Sequence, residues 1–119
     1  MTRKELNEYL LAEVYKDSER LWSIRKCLAR IYARNFISQR RAVYLVRRMQ
    51  YYHSKTGVMK IYADWLQRKI WSEFGCFISK DAKIGKGFHL AHPTGVVVGV
   101  AAQIGENVSL YQQVTIGGG

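Results

Sequence analysis

The stretch from Ile78 to Gly117 reads ISKDAKIGKGFHLAHPTGVVVGVAAQIGENVSLYQQVTIG and places an aliphatic residue at every sixth position. The repeat falls into two series, Ile78, Ile84 and Leu90, followed by Val98, Ile104, Leu110 and Ile116. A period of six fits neither the 3.6-residue turn of a helix nor the two-residue alternation of a strand. It is typical of a parallel β-helix, in which each hexad forms one flat side of a coil. We therefore predict a parallel β-helix from about residue 76, with these aliphatic side chains in its core.

The two series differ in phase, because Leu90 and Val98 are eight residues apart instead of six. Two extra residues therefore lie in the segment 91–97, AHPTGVV. An insertion in a solenoid is pushed outward at a corner, where side chains reach solvent or a neighbouring subunit. His92 lies in this segment, followed by Pro93, the only proline of the chain. The spacing predicts an exposed histidine with a chemical role, and the alternative is a structural histidine at the corner.

The first part of the chain, residues 1–75, has a helical pattern instead. Thr2 and Glu5 predict a capping box at the start of the first helix, and a third and a fourth helix are expected at about 38–53 and from about Val58. Each of four segments has apolar residues at helical spacing. These stripes are Leu6, Tyr9, Leu10 and Val14; Leu21, Ile24, Leu28 and Ile31; Ala42, Leu45, Val46, Met49 and Tyr52; and Met59, Tyr62, Leu66 and Ile70. We therefore expect an α+β chain with a basic helical region (1–75) and a β-helix (76–119).

Positive charge is concentrated in the helical region. The net charge is +10, and eleven Lys and Arg residues occur from Arg20 to Lys60 without any Asp or Glu. Such a segment favours an anionic partner: nucleic acid, a membrane surface or a phosphorylated ligand. The polar side of the third helix carries Arg40, Arg41, Tyr44, Arg47, Arg48 and Tyr51. We expect this face to be solvated or to contact a membrane surface, and nucleic-acid binding is disfavoured because no known nucleic-acid module surrounds it.

The remaining composition restricts the cellular setting and the metal chemistry. No apolar run is long enough to span a membrane, and residues 1–8 are too charged to open a secretory signal. We expect a cytoplasmic protein, at most peripheral at the inner face of the membrane. Cys27 and Cys76 have no CxxC partner, so buried free thiols are expected instead of a disulfide framework or a zinc site. His89 and His92, three residues apart, would point to opposite faces of a strand and do not predict a metal pair.

Three segments together resemble the serine acetyltransferase family: residues 82–87 (AKIGKG), 92–99 (HPTGVVVG) and 108–118 (VSLYQQVTIGG). The resemblance covers about residues 76–119, and the helical region resembles the family only in being helical. It implies a left-handed β-helix and an O-acetyltransferase with acetyl-CoA as the acyl donor, no metal, and active sites between the subunits of a homotrimer. The histidine of the matching motif, His92, is then the base that deprotonates the acceptor hydroxyl. Imidazole suits this role because its ordinary pKa lies near neutrality.

Two carboxylates of the family are absent from this sequence. An Asp that orients the histidine in the family stands fifteen residues before it, where this chain has Phe77, and Asp81 is out of register with that position. A second Asp directly precedes the histidine and helps to hold the ammonium group of serine, and here the residue is Ala91. Its loss removes a charge-assisted contact. A sugar hydroxyl in capsule or cell-surface glycan synthesis therefore becomes an alternative acceptor to L-serine.

The β-helix segment is short. From Ile78 the chain has 42 residues, a little over two coils, and it ends in three glycines where the family continues into further coils. A solenoid usually needs about three or more repeats and a capped end. From the sequence we expect the front portion of a longer β-helix. The alternative is an inactive, shortened form that acts only as a basic helical binding or assembly module.

Overall fold

The computed structural model describes residues 1–16 and 23–117. Its helices are α1 (Arg3–Glu13), α2 (Ser23–Phe36), α3 (Ser38–His53) and α4 (Val58–Phe74). Its strands have two residues each and are β1 (Phe77–Ile78), β2 (Lys83–Ile84), β3 (His89–Leu90), β4 (Val97–Val98), β5 (Gln103–Ile104), β6 (Ser109–Leu110) and β7 (Thr115–Ile116). The predicted change from helices to short strands near residue 75 is confirmed. None of the described helices is both long and apolar enough to cross a membrane.

The strands form a three-sided parallel coil. Each strand pairs with the third strand after it, which gives the sheets β1-β4-β7, β2-β5 and β3-β6. Phe77 pairs with Val97, twenty residues later, whereas Val97 pairs with Thr115, eighteen residues later. The first coil is therefore two residues longer than three hexads, and its longest connection lies between β3 and β4. The predicted position of the insertion is confirmed.

The core positions of the hexads are also confirmed. Six of the seven aliphatic residues are buried and the last is partly buried: Ile78, Ile84, Leu90, Val98, Ile104, Leu110 and then Ile116. Burying each such side chain contributes about 1.5–3 kcal/mol to folding. The period of six therefore reports which side chains fill the inside of the coil.

Helix α3 is the centre of the helical region, since it packs against α1, α2, α4 and strand β3. The predicted capping box of α1 is present, with the backbone N–H of Glu5 donating to Thr2 Oγ1 over 3.1 Å and the backbone N–H of Thr2 donating to Glu5 Oε1 over 3.4 Å. Helix α4 ends at Gly75, whose φ of 61° is the left-handed conformation that glycine adopts readily. This glycine turns the chain from α4 into the first strand.

The apolar stripe of α2 is not part of the core, contrary to what its sequence pattern indicates. Ile24 and Leu28 are 76% and 61% exposed, and Leu21 lies outside the described residues. The small Ala33 is buried instead. A methyl side chain allows α2 to approach α3 closely, and the bulkier residues then point away from the body.

The two thiols differ in environment. Cys76 is buried, as predicted, and burial raises the pKa of its thiol to about 12. Cys27 is exposed on α2, so the prediction of a buried thiol is wrong there. The reason is the orientation of α2, which turns its apolar side outward.

Arg47 is not on the polar face of α3 that the sequence predicts. Arg47 is only 1% exposed. Its guanidinium donates to the Glu13 carboxylate over 2.8 Å (Nε to Oε1) and 2.7 Å (Nη2 to Oε2). It also donates to the backbone oxygens of Ile84 and Gly85 in the first coil, over 3.1 and 2.7 Å. The proposed four-arginine contact face therefore loses one member, because Arg47 has a buried partner on α1.

The polar groups around this ion pair are also satisfied. Glu13 Oε2 accepts the backbone N–H groups of Gly87 and Phe88 over 3.1 and 3.0 Å. Gln50 accepts from Arg47 over 3.1 Å and donates to the backbone oxygen of Ala82 over 3.0 Å. A buried charge is tolerated only when it is paired and hydrogen-bonded. This network therefore joins α1 and α3 to the first coil at a fixed position.

Replacing Gly85 with alanine is expected to destabilise the 119-residue chain by about 1–3 kcal/mol, the usual effect of overpacking. An added methyl group would lie 2.7 Å from the backbone carbonyl of Gly105 and 2.8 Å from the backbone nitrogen of Glu106. These atoms are backbone atoms of the next coil, and they cannot move aside as the end of a flexible side chain can. Urea unfolding would measure the loss.

The matched control is Gly105→Ala. Gly105 also directly follows a core isoleucine, and an added methyl group there would have no atom of another segment within 4 Å. Its stability should stay the same or rise slightly, because alanine restricts the unfolded chain. Equal losses for the two variants would contradict the close approach of the coils at Gly85.

Candidate active site

His92 lies on the corner that the two extra residues form between β3 and β4. Its residue is exposed, whereas Leu90 before it and Pro93 after it are buried. A buried residue therefore holds the chain in place on each side of the exposed histidine. The predicted exposure of His92 is confirmed, and its imidazole is accessible to solvent and to small molecules.

Backbone hydrogen bonds hold this corner in place. The N–H of Ala91 donates to the Leu110 oxygen over 2.9 Å, and the N–H of Gly95 donates to the Gly75 oxygen over 2.8 Å. Thr94 accepts from the N–H of Gln113 in the next coil over 3.0 Å. Gly95 has a φ of 74°, which a residue with a side chain rarely adopts. These hydrogen bonds connect the corner both to the end of α4 and to the following coil. The backbone at His92 is therefore preorganised.

Tyr111 is the aromatic neighbour of His92, with ring centroids 6.1 Å apart and the planes tilted by 45°. It is 57% exposed, so the two rings form an open edge of the coil. Sequence reasoning did not single out Tyr111. The sequence did contain a signal for this neighbour. Because the first coil is twenty residues long, position 111 lies directly above position 91, next to His92.

No carboxylate of the described residues hydrogen-bonds to His92. Phe77 packs edge-on against Trp71, with ring centroids 6.5 Å apart, and Ala91 has no polar side chain. Asp81 lies 3.0 Å from His53 Nε2. The absence of the two family carboxylates is therefore not compensated by Asp81.

The two acidic residues of α4, Asp64 and Glu73, both pair with basic residues of the same chain. Glu73 accepts two hydrogen bonds from Arg41 over 2.6 and 3.1 Å, and these hold the pKa of its carboxyl below the usual value. Asp64 accepts a hydrogen bond from Lys80, which lowers the pKa of that carboxyl as well. Both carboxylates are thus already neutralised by cations.

His89 has a different environment from His92. It is half-buried on β3, and its Nδ1 lies 3.4 Å from Ser109 Oγ on β6. Burial lowers the pKa of His89, and the charges of Lys16 and Arg40 lower it further. In the described part of the chain, no three His, Cys, Asp or Glu side chains gather in a way that could hold a metal ion.

Part of this chain is similar in sequence to known serine acetyltransferases. No protein-family model matches the chain. Serine acetyltransferase 1, chloroplastic, of Arabidopsis thaliana is 48% identical over 59 residues, which are 50% of this chain and 19% of that protein. The serine acetyltransferase of Salmonella typhimurium is 46% identical over 56 residues, which are 47% of this chain and 20% of that protein.

Solved structures match over a greater length. A serine acetyltransferase in complex with CoA has a TM-score of 0.70 and 26% identity, covering 98% of this chain and 48% of that one. The soybean serine acetyltransferase complexed with serine has a TM-score of 0.63 and 26% identity, covering 97% and 48%. The Vibrio cholerae enzyme, at 23% identity and a TM-score of 0.71, supports the fold alone, covering 98% and 43%.

The chain spans less than half the length of these solved structures, and its matched segment spans about a fifth of the two curated relatives. The strongest sequence identity is thus limited to part of the chain, whereas the order of helices and parallel strands matches throughout. The predicted resemblance of this chain to the serine acetyltransferases is therefore confirmed, in sequence over about half of the chain and in fold over nearly all of it.

Proposed function

We propose that this chain provides the catalytic histidine of an acetyl-CoA-dependent O-acetyltransferase. The observation that carries the proposal is the position of His92: an exposed imidazole on a hydrogen-bonded corner, at the only place where the described coil departs from its six-residue period. The similarity to serine acetyltransferases of plants and bacteria supports the same reaction class. The solved relative in complex with CoA supports acetyl-CoA as the donor.

In the proposed reaction, His92 accepts the proton of the acceptor hydroxyl while the hydroxyl oxygen attacks the carbonyl carbon of the acetyl thioester. The carbon–sulfur bond then breaks, and the departing thiolate of CoA takes the proton from the imidazolium. The products are the O-acetyl ester and free CoA. The neutral imidazole can accept the proton and the resulting imidazolium can return it, because the ordinary pKa of histidine lies close to the operating pH.

We further propose that the coil is left-handed, that the protein is a cytoplasmic homotrimer and that the site is shared between subunits. His92 and Tyr111 are both exposed in the described part of a single chain, where their rings form an open edge. An acyl transfer requires the thioester to be held next to the base and away from bulk water. A neighbouring coil packed against this edge would provide the second wall.

The environment of His92 favours an acceptor without an ammonium group, such as a sugar hydroxyl, over L-serine, whose ammonium group carries a positive charge. An ammonium group that is taken from water needs a carboxylate to offset its desolvation. Ala91 provides none, and Glu73 and Asp64 are neutralised by Arg41 and Lys80. We therefore propose a glycan hydroxyl as the preferred acceptor.

Release of free CoA thiol from acetyl-CoA, measured on the natural protein with L-serine and with a panel of sugars, tests this proposal. Ala91→Asp is expected to raise kcat/KM for L-serine about tenfold or more, the value of one charge-assisted hydrogen bond. Ala101→Asp, at an exposed turn after β4, is the matched control and should leave the preference unchanged. Efficient turnover of L-serine by the unmodified protein would overturn the glycan preference, and a lack of turnover with every acceptor would overturn the enzyme assignment.

A further inference from the structure

A groove of about 470 Å³ between α2, α3 and α4 is lined by several basic residues. These residues belong to the helical region, whereas His92 belongs to the coil. Its charged lining residues come from all three helices. They are Arg34 on α2, Arg41 and Arg48 on α3, and Lys69 on α4. Tyr44, Tyr62 and Trp65 provide aromatic walls.

The groove keeps an excess of positive charge. Arg41 is paired with Glu73, which also lies 3.9 Å from Lys69 Nζ. Glu73 is thus one carboxylate shared by two cations. Among the residues that the structure describes, no carboxylate lies within 4.0 Å of Arg34 or Arg48. In the described part of the chain, four cations and one carboxylate thus leave the groove with about three positive charges that can attract an anionic ligand.

Neutral tyrosines hold two of these cations in place. The guanidinium groups of Arg34 and Arg48 lie 5.8 and 5.5 Å from the centre of the Tyr44 ring. Arg48 also donates to the hydroxyls of Tyr44 and Tyr52, over 3.0 and 3.3 Å. Ring faces and hydroxyls orient a guanidinium without neutralising it. Two like charges are therefore kept near one ring, and an anion between them would relieve their repulsion.

The chemistry of this lining indicates a phosphate group. Arginine offers several donors in a fixed fork that matches the oxygens of a phosphate, and three excess charges suit a group that carries two negative charges. The rings of Tyr62 and Trp65 stack with centroids 5.7 Å apart and provide an apolar wall beside the cations. We propose that this groove binds the phosphate group of a phosphorylated ligand, either a soluble phosphate ester or the headgroup of an anionic phospholipid.

Binding of inorganic pyrophosphate, measured by calorimetry, and of phosphatidylcholine vesicles with and without phosphatidic acid, measured by co-sedimentation, tests the proposal. Arg34→Gln is expected to weaken binding about tenfold, as one lost hydrogen bond to a charged group would. Lys69→Gln, on the opposite wall, should also weaken it. Arg25→Gln is the matched control, since it removes the same charge from an exposed position of α2 outside this groove.

Each outcome of these binding measurements supports or overturns the proposed phosphate site. Pyrophosphate binding that depends on Arg34 but not on Arg25 supports a soluble ligand, and binding to phosphatidic acid vesicles alone with the same dependence supports a lipid headgroup. Equal losses for the Arg34 and Arg25 variants would indicate general charge attraction and would overturn the proposal. An absence of binding to both probes by the unmodified protein, with its helical circular dichroism signal intact, would overturn it as well.

Discussion

His92→Asn is expected to lower kcat by about 10²-fold or more, the usual scale for the loss of a general base. Asparagine keeps a polar side chain of similar reach but cannot accept and return a proton at neutral pH. The substitution should leave stability unchanged, because His92 is exposed and its aromatic neighbour Tyr111 is exposed as well. Steady-state kinetics with the preferred acceptor would measure kcat, and a thermal melt of the same preparation would show that the fold is intact.

His89→Ala is the matched control for this experiment. His89 lies on β3 beside Ser109, half-buried, with its pKa lowered by burial and by two nearby cations. It does not stand on the corner, so its removal should reduce kcat much less than removal of His92. If the His89 variant is the more damaged of the two, the assignment of the base is wrong.

Glu13→Gln is expected to lower the free energy of unfolding by about 3–5 kcal/mol, the usual loss when one partner of a buried ion pair is removed. The amide has nearly the same shape as the carboxylate but leaves the buried Arg47 guanidinium without a counter-charge. It also places an N–H group where the carboxylate now accepts the backbone N–H groups of Gly87 and Phe88. Urea unfolding followed by circular dichroism would measure the change.

Glu8→Gln is the control for the loss of one acidic charge from α1. Glu8 pairs with Lys86 at 4.0 Å, and both side chains are 49% exposed. Exposed pairs of this kind contribute at most about 1 kcal/mol. Equal losses in the two single variants would contradict the role of the buried network.

The repeat and the helix boundaries followed from the sequence because they depend on local order. A residue that lies in the core every six positions is recognisable without knowledge of its partners, and the break in that order located His92 on a corner. Helix α3 was predicted at about 38–53 and runs from Ser38 to His53. The capping box at Thr2 and Glu5 was also correct, since both of its hydrogen bonds span three residues.

Features that depend on distant partners were missed. Arg47 belongs to the polar set of α3 by residue type, but its partner Glu13 is 34 residues away. A signal for this pair was present, because Glu13 stands one helical turn after Leu10, on the apolar side of α1. The orientation of α2 could not be inferred either, since the depth of its contact with α3 depends on the small Ala33. The spacing of apolar residues identifies the apolar face of a helix. Whether that face is buried depends on how the neighbouring helix packs against it.

The unequal lengths of the two coils have a consequence for how this protein can be altered. Strand β4 pairs in register both with β1, after a twenty-residue turn, and with β7, after an eighteen-residue turn. The scaffold therefore closes with or without the two added residues. The exposed positions of this corner, His92 and Thr94, can therefore change in sequence while the buried Pro93 and Val96 keep the corner in place. The exposed side chains of the corner can thus diverge in evolution independently of the strand register that holds the coil together.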